Sequence, residues 1–503
     1  MLHSQGQKVV VIGAGFSGLA TASVLAQAGM NVTLLEKHDQ PGGRARVMHK
    51  DGFSFDMGPS WYWMPEIMEQ FFQRFGHSVS DYFRLERLDP SYQVIYSATR
   101  QVTVPANYQD LRQLFEELEP DGANKLDAFL AQAERKYKIG MGEFVKKPGL
   151  SWTEFMQFKL VKSAFQLDLL QSFSKHVRKY FSHPELIQIL EFPILFLGAT
   201  PQDIPALYSM MNYADLKLGT WYPMGGFHQL AKAMEAVAVE QGVTIHYNTN
   251  VKSLYILNQQ VEGVETDTRI FFSDVVISAA DYHFTEQKLL PESCRNYSHD
   301  YWDSRTLAPS CLLYYVGVNK RLPKLLHHNL FFENSFEQHA HNIYTQPDWP
   351  KDPLYYVCCP SKTDSSVAPA GCENLFLLIP IAPGLEDTEE IRNSYFKETI
   401  QRLETFCGEK IRENIISYTS YATSNFKEDY NAFRGNAYGL ANTLKQTAVL
   451  KPSIKNKHLS NLYYTGQLTV PGPGVPPAII SGQLVADYII EKTAKTKTYE
   501  DTL

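Results

Sequence analysis

The feature that most constrains this chain lies near its start, where an apolar run from Val9 to Ile12 flows into Gly13-Ala14-Gly15-Phe16-Ser17-Gly18. A strand that ends in Gly-x-Gly-x-x-Gly and gives way to a helix of small residues can fold in few ways. Gly13 permits a sharp turn off the strand, Gly15 leaves room for a pyrophosphate, and Gly18 lets the helix lie against the sheet. The helix is expected to run to about Ala28, with Gly29 closing it, before a second strand from Val32 to Leu35 ends in Glu36. Its N-terminus turns free N–H groups and a positive dipole end toward phosphate. Glu36 stands 18 residues beyond Gly18, where a carboxylate accepts hydrogen bonds from a ribose 2′-hydroxyl and repels a 2′-phosphate. Strand, glycines, helix and acid together predict a dinucleotide site.

At 503 residues the chain is too long for a single hydrophobic core, so two or three domains are expected. Its 29 Phe and 29 Tyr suit a large apolar cavity. A net charge of −7 argues against nucleic acid as a main partner, since no basic face is available to offset phosphates. The six cysteines have no CxxC spacing and several fall in apolar, strand-like runs, the pattern of reduced cysteines in a cytoplasmic protein. Seven mostly polar residues lead straight into the first strand, so no signal peptide is expected. No apolar run approaches the ~18 to 20 residues of a membrane span. The expectation is a cytoplasmic protein that can touch a membrane surface without crossing it.

Beyond Glu36 and Lys37 comes Pro41-Gly42-Gly43-Arg44, a tight backbone beside a fixed cation. It suits a second approach to a phosphate, or else an ordinary loop. Behind a dinucleotide motif it favours a flavin nucleotide over NAD. The next segment, Phe53-Ser54-Phe55-Asp56-Met57-Gly58-Pro59-Ser60, alternates like a strand. These segments together resemble the FAD domain of the flavin amine oxidase superfamily, and more narrowly the bacterial and fungal type of carotenoid desaturase, of which phytoene desaturase is the best-known member.

The C-terminal region carries the most specific part of the resemblance. A strand from Leu462 to Thr465 meets Gly466-Gln467, a Gly/Pro turn through Gly472 and Gly474, and a helix starting near Val475 with Pro476 and Pro477 in its first turn. In the resembled family this helix N-terminus faces the flavin ring, where negative charge builds on reduction. Gln467 departs from the Asp that many such proteins place there. The resemblance also implies that Trp221 to Phe227 leads into a helix, Gln229 to Val239, and that the Val251 backbone after the strand Val243 to Tyr247 meets the adenine edge. The implied cofactor contacts are thus Gly13 to Gly18, Glu36, Lys37, Gly42 to Arg44, Gly58 to Ser60, Val251, Gly466, Gln467 and Gly474 to Pro476.

The rest of the chain supplies a second unit. Trp61 to Phe75 reads either as a core helix or, over Trp61 to Met64, as the lining of a cavity. Leu111 to Tyr137 is helical with an interruption at Asp121-Gly122, and β-rich runs occupy Leu312 to Val318, Tyr355 to Cys359, Leu375 to Ile381 and Ile415 to Tyr421. Phe158 to Phe181 has an apolar face ringed by Lys159, Lys162, Lys175, Arg178 and Lys179, which suits a membrane surface or a helix packed on its own domain. His327 and His328 are not expected to hold a metal, because neighbours on a strand point to opposite faces; the tail after Ile490 is expected to fray. The expected fold is α/β: a discontinuous Rossmann-like FAD domain (residues 1–85, 222–285 and 455–495), a mixed-sheet substrate domain (86–140 and 286–454), a helical subdomain (141–221) that acts as a lid or membrane dock, and a flexible tail (496–503).

The resemblance implies FAD-dependent desaturation of a long linear carotenoid, foremost phytoene toward lycopene, by hydride transfer to flavin N5, with oxygen or a membrane quinone as final acceptor. Alternatives are a 1′-hydroxycarotenoid 3,4-desaturase, a carotene isomerase, an amine oxidase, or an isoprenoid escort without flavin. Glu134 and Arg135 are polar residues near Tyr137, but no catalytic acid or base stands out.

Overall fold

The structure, a computed structural model, describes residues 6–151, 154, 168 and 171–500. The first strand, Lys8–Ile12, leads into the helix Phe16–Gln27 and the strand Asn31–Leu35, and Gly29 closes the helix at φ +88°. These strands form a parallel five-stranded sheet in the order Leu462–Tyr464, Val275–Ser278, Lys8–Ile12, Asn31–Leu35, Thr244–His246. Val9, Val11, Val32 and Leu34 are buried beneath the helices, as a parallel sheet covered on its faces requires. A three-stranded antiparallel sheet, Val251–Leu257, Gln260–Thr266 and Ile270–Phe272, is appended to it.

A second sheet of seven strands runs Ile415–Tyr421, Ser310–Val318, Glu373–Ile381, Tyr355–Cys358, His328–Phe331, Tyr92–Ile95, Gln101–Val104. It is mixed, since His328–Phe331 runs parallel to Tyr92–Ile95 and the other pairs are antiparallel. All nine residues of Ser310–Val318 are buried, which marks it as an interior strand. The α/β architecture therefore has the two expected units, a Rossmann-like layer and a mixed-sheet layer. Five strands from three distant stretches build the first, while the second draws on residues 92–104 and 310–421.

Two local expectations need correction. Trp61 to Met64 is not the start of a helix: the helix is Pro65–Arg74, with proline at its first position, and Met64 before it turns at φ +59°. The C-terminal helix does not fray at Ile490 but continues from Val475 to Glu500. Its packed first turns supply the nucleus, and each further residue then adds a hydrogen bond at little cost. Asp121, at φ +60°, does separate the helices Tyr108–Leu118 and Gly122–Ile139. The basic face built on Phe158, Lys159, Lys162 and Phe165 lies outside the described residues. Among the described residues, no helix is long and apolar enough to cross a membrane.

Two ends of the chain meet where the helices Phe16–Gln27 and Val475–Glu500 cross. A Cβ on Gly482 would lie 2.3 Å from the Ser17 carbonyl oxygen, and Thr21 donates its hydroxyl to the Gly482 carbonyl at 3.0 Å. On the opposite side, a Cβ on Gly18 would lie 1.9 Å from the Gly13 carbonyl oxygen. Gly18→Ala and Gly482→Ala are each expected to lower unfolding free energy by about 1–3 kcal/mol through overpacking, measured by denaturant titration of the cofactor-free protein.

Candidate functional site

The site is built from the ends of the parallel strands. Gly13 turns at φ +100° and donates its N–H to the Leu35 carbonyl at 2.7 Å, closing the first strand under the second. Gly15 is different from Gly18. A Cβ placed on it meets no atom within 4 Å, so its outer face is open space. Across that space lies the Gly42-Gly43 turn: Gly42 donates to the Ala14 carbonyl at 2.8 Å, and a Cβ on Gly43 would lie 3.4 Å from Gly15 Cα. Phe16 and Ser17 are buried in the first turn of the helix.

Glu36 is 5% exposed and held from both sides, with Oε2 accepting the Ala14 N–H at 2.7 Å and Oε1 the His38 N–H at 3.0 Å. Each oxygen keeps a further lone pair for a ribose hydroxyl. The Glu36 carbonyl accepts the Thr249 N–H at 2.8 Å, which draws in the segment leading to Val251, a buried residue that opens its strand. The Lys37 side chain points elsewhere. It donates to the Glu428 carbonyl at 2.7 Å, and burial lowers its pKa from the ordinary lysine value.

Arg44 lies deeper. Its Nη2 donates to the Asn436 carbonyl at 3.1 Å and its guanidinium sits 5.2 Å from the centre of the Tyr430 ring, yet its Nε is buried with no hydrogen-bond partner. Gly58 passes so close that a Cβ would lie 2.5 Å from the Arg44 carbonyl oxygen. Pro59 follows, and then Ser60, whose hydroxyl accepts from Tyr356 at 3.0 Å. Asp281, at the end of a central strand, acts on Arg44; burial pushes its carboxyl up to about 6 against the Phe284 and Phe433 N–H groups that it accepts.

The C-terminal motif reaches the same place. A Cβ on Gly466 would lie 3.2 Å from Ser17 Oγ, and Gln467 donates to Asn436 Oδ1 at 3.2 Å. Asn436 thus links Gln467 to Arg44, so the glutamine retains a polar role where an aspartate was expected. Gly474, at φ +114°, accepts the Ala478 N–H ahead of Val475 and Pro476. Beside this turn stands Lys451, 4% exposed, whose Nζ has no partner; burial lowers its pKa to about 7. Lys451 Nζ and the unpartnered Asn442 Oδ1 converge on Gly472, at 3.2 and 3.0 Å from where its Cβ would stand.

An open face at Gly15, an unpartnered Nε on Arg44, an unpartnered Nζ on buried Lys451 and a fixed carboxylate at Glu36 fit a dinucleotide with an anionic pyrophosphate and a ring that gains negative charge on reduction. The N-terminal and C-terminal motifs are brought together, whereas the Lys37 side chain turns to the Glu428 carbonyl. Asp281, Asn436 and Lys451 carry no spacing rule in the sequence. The Asn- and Gly-rich run from Asn431 to Asn442 signals a turn, not its partner.

A second space opens beyond Tyr356, which donates to Ser60. An apolar pocket, partly open to solvent, lies between the mixed sheet and the helix Phe336–Tyr344, lined by Phe192, Leu330, Phe332, Ile343, Tyr356 and Leu378 among others. His339 lines it, but both ring nitrogens are engaged, by the Pro380 carbonyl at 2.7 Å and the Leu354 N–H at 3.0 Å. Trp61 stacks on His328 with ring centres 4.0 Å apart and borders Tyr356, so it packs in the interior ahead of the helix and not within it. His327 and His328 do not point to opposite faces. His327 precedes the strand His328–Phe331, and the two rings lie 4.5 Å apart.

Gly15→Ala is expected to leave the stability of the cofactor-free protein within about 0.5 kcal/mol while weakening FAD binding about tenfold or more, a cost of about 1.4 kcal/mol. Arg44→Ala should weaken FAD by the loss of a charge-assisted hydrogen bond, about 1.5–3 kcal/mol. Fluorescence titration of the apoprotein with FAD checks both.

Comparison with known proteins agrees with this geometry. The model of flavin containing amine oxidoreductases matches residues 16–490. A carotenoid 3,4-desaturase of Haloarcula japonica is 41% identical over 497 residues, covering 98% of this chain and 100% of the relative. A zeta-carotene-forming phytoene desaturase of Myxococcus xanthus is 29% identical, covering 97% and 94%. An oxidoreductase structure from Methanosarcina mazei shares the fold with a TM-score of 0.63 at 17% identity, covering 95% of this chain and 100% of that one. The chain therefore belongs to the flavin-containing amine oxidoreductases, among the carotenoid desaturases, and its cofactor is FAD.

Proposed function

We propose that this protein desaturates a long linear carotenoid, and that the bond it oxidises is the 3,4 bond near the chain end, the position named for the relative of 41% identity. Conversion of phytoene toward lycopene is the second reading, carried by the Myxococcus relative. The observation that carries the proposal is the apolar pocket lined by Tyr356, whose hydroxyl reaches Ser60. Its wall offers aliphatic and aromatic surface, and the one histidine in it has both nitrogens satisfied, which suits a hydrocarbon and leaves no anchor for a charged amine.

FAD, when bound, accepts a hydride from an allylic carbon. The protein's own residues contribute position and dryness: Leu330, Phe332 and Leu378 hold a polyene by dispersion and exclude water, so that the reacting carbon is presented in one orientation. Tyr356 joins the two spaces, since it lines the cavity and donates to Ser60 in the cofactor segment. The unpartnered Lys451 ammonium beside Gly472 supports a role in balancing negative charge on the reduced ring. The acceptor that reoxidises the cofactor is oxygen or a membrane quinone, and a membrane surface is the natural source of so apolar a substrate.

Expression in a carotenoid-free host fed single carotenes, followed by chromatography of the pigments, tests the reading. A product with one more double bond, at the chain end and conjugated with the polyene, is expected from a lycopene-type substrate, and failure on every linear carotene would refute it. Ala340→Trp, which fills the cavity, should cut product formation roughly 100-fold by misplacing the substrate, while flavin absorbance stays at the wild-type level.

A further inference from the structure

Behind Trp61, away from the open face of Gly15, three soft or borderline ligands converge in the interior. The ligand atoms of His327, His328 and Cys358 all lie within 4.8 Å of one another, and all three residues are buried. Local geometry explains the convergence. His328 and Cys358 are directly opposed across the antiparallel pair of His328–Phe331 and Tyr355–Cys358, so their side chains stand side by side on one face. His327 precedes the strand, where its carbonyl accepts the Cys359 N–H at 2.8 Å, and its ring folds onto that of His328.

Both rings are held through Nδ1 by a hydroxyl oxygen, and for His328 the contact also fixes the tautomer. His327 Nδ1 pairs with Thr363 Oγ1 at 2.7 Å and His328 Nδ1 with the Tyr356 hydroxyl at 2.6 Å. Tyr356 gives its own proton to Ser60, so it accepts from His328 Nδ1–H and leaves the lone pair on Nε2. Nε2 of both histidines is buried without a hydrogen-bond partner. A buried polar atom without a partner costs about 1–3 kcal/mol, and here there are two, side by side. Oxygen partners on the far ring nitrogen are the arrangement that orients histidine ligands around a metal. Asp56 acts on Cys358 and Asp364 on His327, negative charges that suit a cation, although burial and Asp56 both hold the Cys358 thiol above its ordinary value. A small cavity lined by Ser60, Tyr222, His327 and Cys358 leaves room for a water as fourth ligand.

We propose that His327 Nε2, His328 Nε2 and Cys358 Sγ form a site for one Zn²⁺ ion. Tetrahedral zinc places such ligand atoms about 3.4–3.6 Å apart, so binding draws the three inward by about an ångström. The thiol loses its proton to solvent as the Zn–S bond forms, and no electron is transferred. The ion ties the entry of one strand to the end of its neighbour, beside Tyr356 and Ser60, and so braces the wall between the cofactor segment and the apolar cavity. The site is independent of which carotenoid is oxidised.

Metal analysis of the full-length, FAD-loaded protein, purified from zinc-supplemented medium and passed over a chelating resin, tests the proposal. About one zinc per chain is expected, and Co²⁺ substitution should give a thiolate-to-cobalt charge-transfer band. Cys358→Ser and His327→Asn should lose the band and reduce zinc at least tenfold, whereas Cys294→Ser, at a thiol remote from the cluster, should change neither. Thr363→Val leaves the three ligands in place and should weaken zinc about 10–100-fold by freeing the His327 ring, which keeps the test decisive if a ligand variant fails to fold. Wild-type protein that retains flavin but holds no zinc and gives no cobalt band would overturn the proposal, as would equal zinc in wild type and Cys358→Ser.

Discussion

The structure depends on one close contact, the crossing of the glycine-motif helix with the C-terminal helix. Gly482 lies against the Ser17 carbonyl and Gly466 against the Ser17 hydroxyl, so residues from the two ends of the chain share a few ångströms of space. Neither motif completes a site by itself. The N-terminal glycines supply open backbone and a fixed carboxylate, and the C-terminal turn supplies a second helix N-terminus with a buried ammonium beside it. Small residues at the crossing are needed for close approach, and the same residue type at Gly15 is needed for emptiness.

Charge and apolar surface are kept apart in this molecule. The cations Arg44 and Lys451 lie by the cofactor segment, where their incomplete hydrogen bonding suits an anionic group. The mixed sheet presents aromatic and aliphatic side chains to the neighbouring cavity. Ser60 and Tyr356 form the polar joint between the two. Such a division favours the oxidation of an unactivated hydrocarbon, which requires a dry, ordered pocket more than it requires acid or base catalysis.

Much of the fold was legible because its signals are local. The turn at Gly13, the close packing at Gly18, the acid at Glu36 and the prolines at the start of the last helix each follow from what one residue type can do at one backbone position. The site was legible only at those points. Asp281, Asn436 and Lys451 reach it through tertiary contacts hundreds of residues long, for which no spacing exists to be read. The histidine pair shows the opposite error: a period-two rule holds within a strand, and His327 lies one residue before the strand begins. Trp61 was ambiguous for a related reason, since aromatic spacing continues through Pro65 although the backbone does not.

Hydrogen exchange with and without FAD tests most directly whether the two termini close on one cofactor. The account predicts slower exchange on FAD addition at amides of both residues 13–18 and residues 466–476, with the same dependence on FAD concentration. Protection confined to the N-terminal glycines, with the C-terminal turn unchanged at saturating FAD, would contradict it.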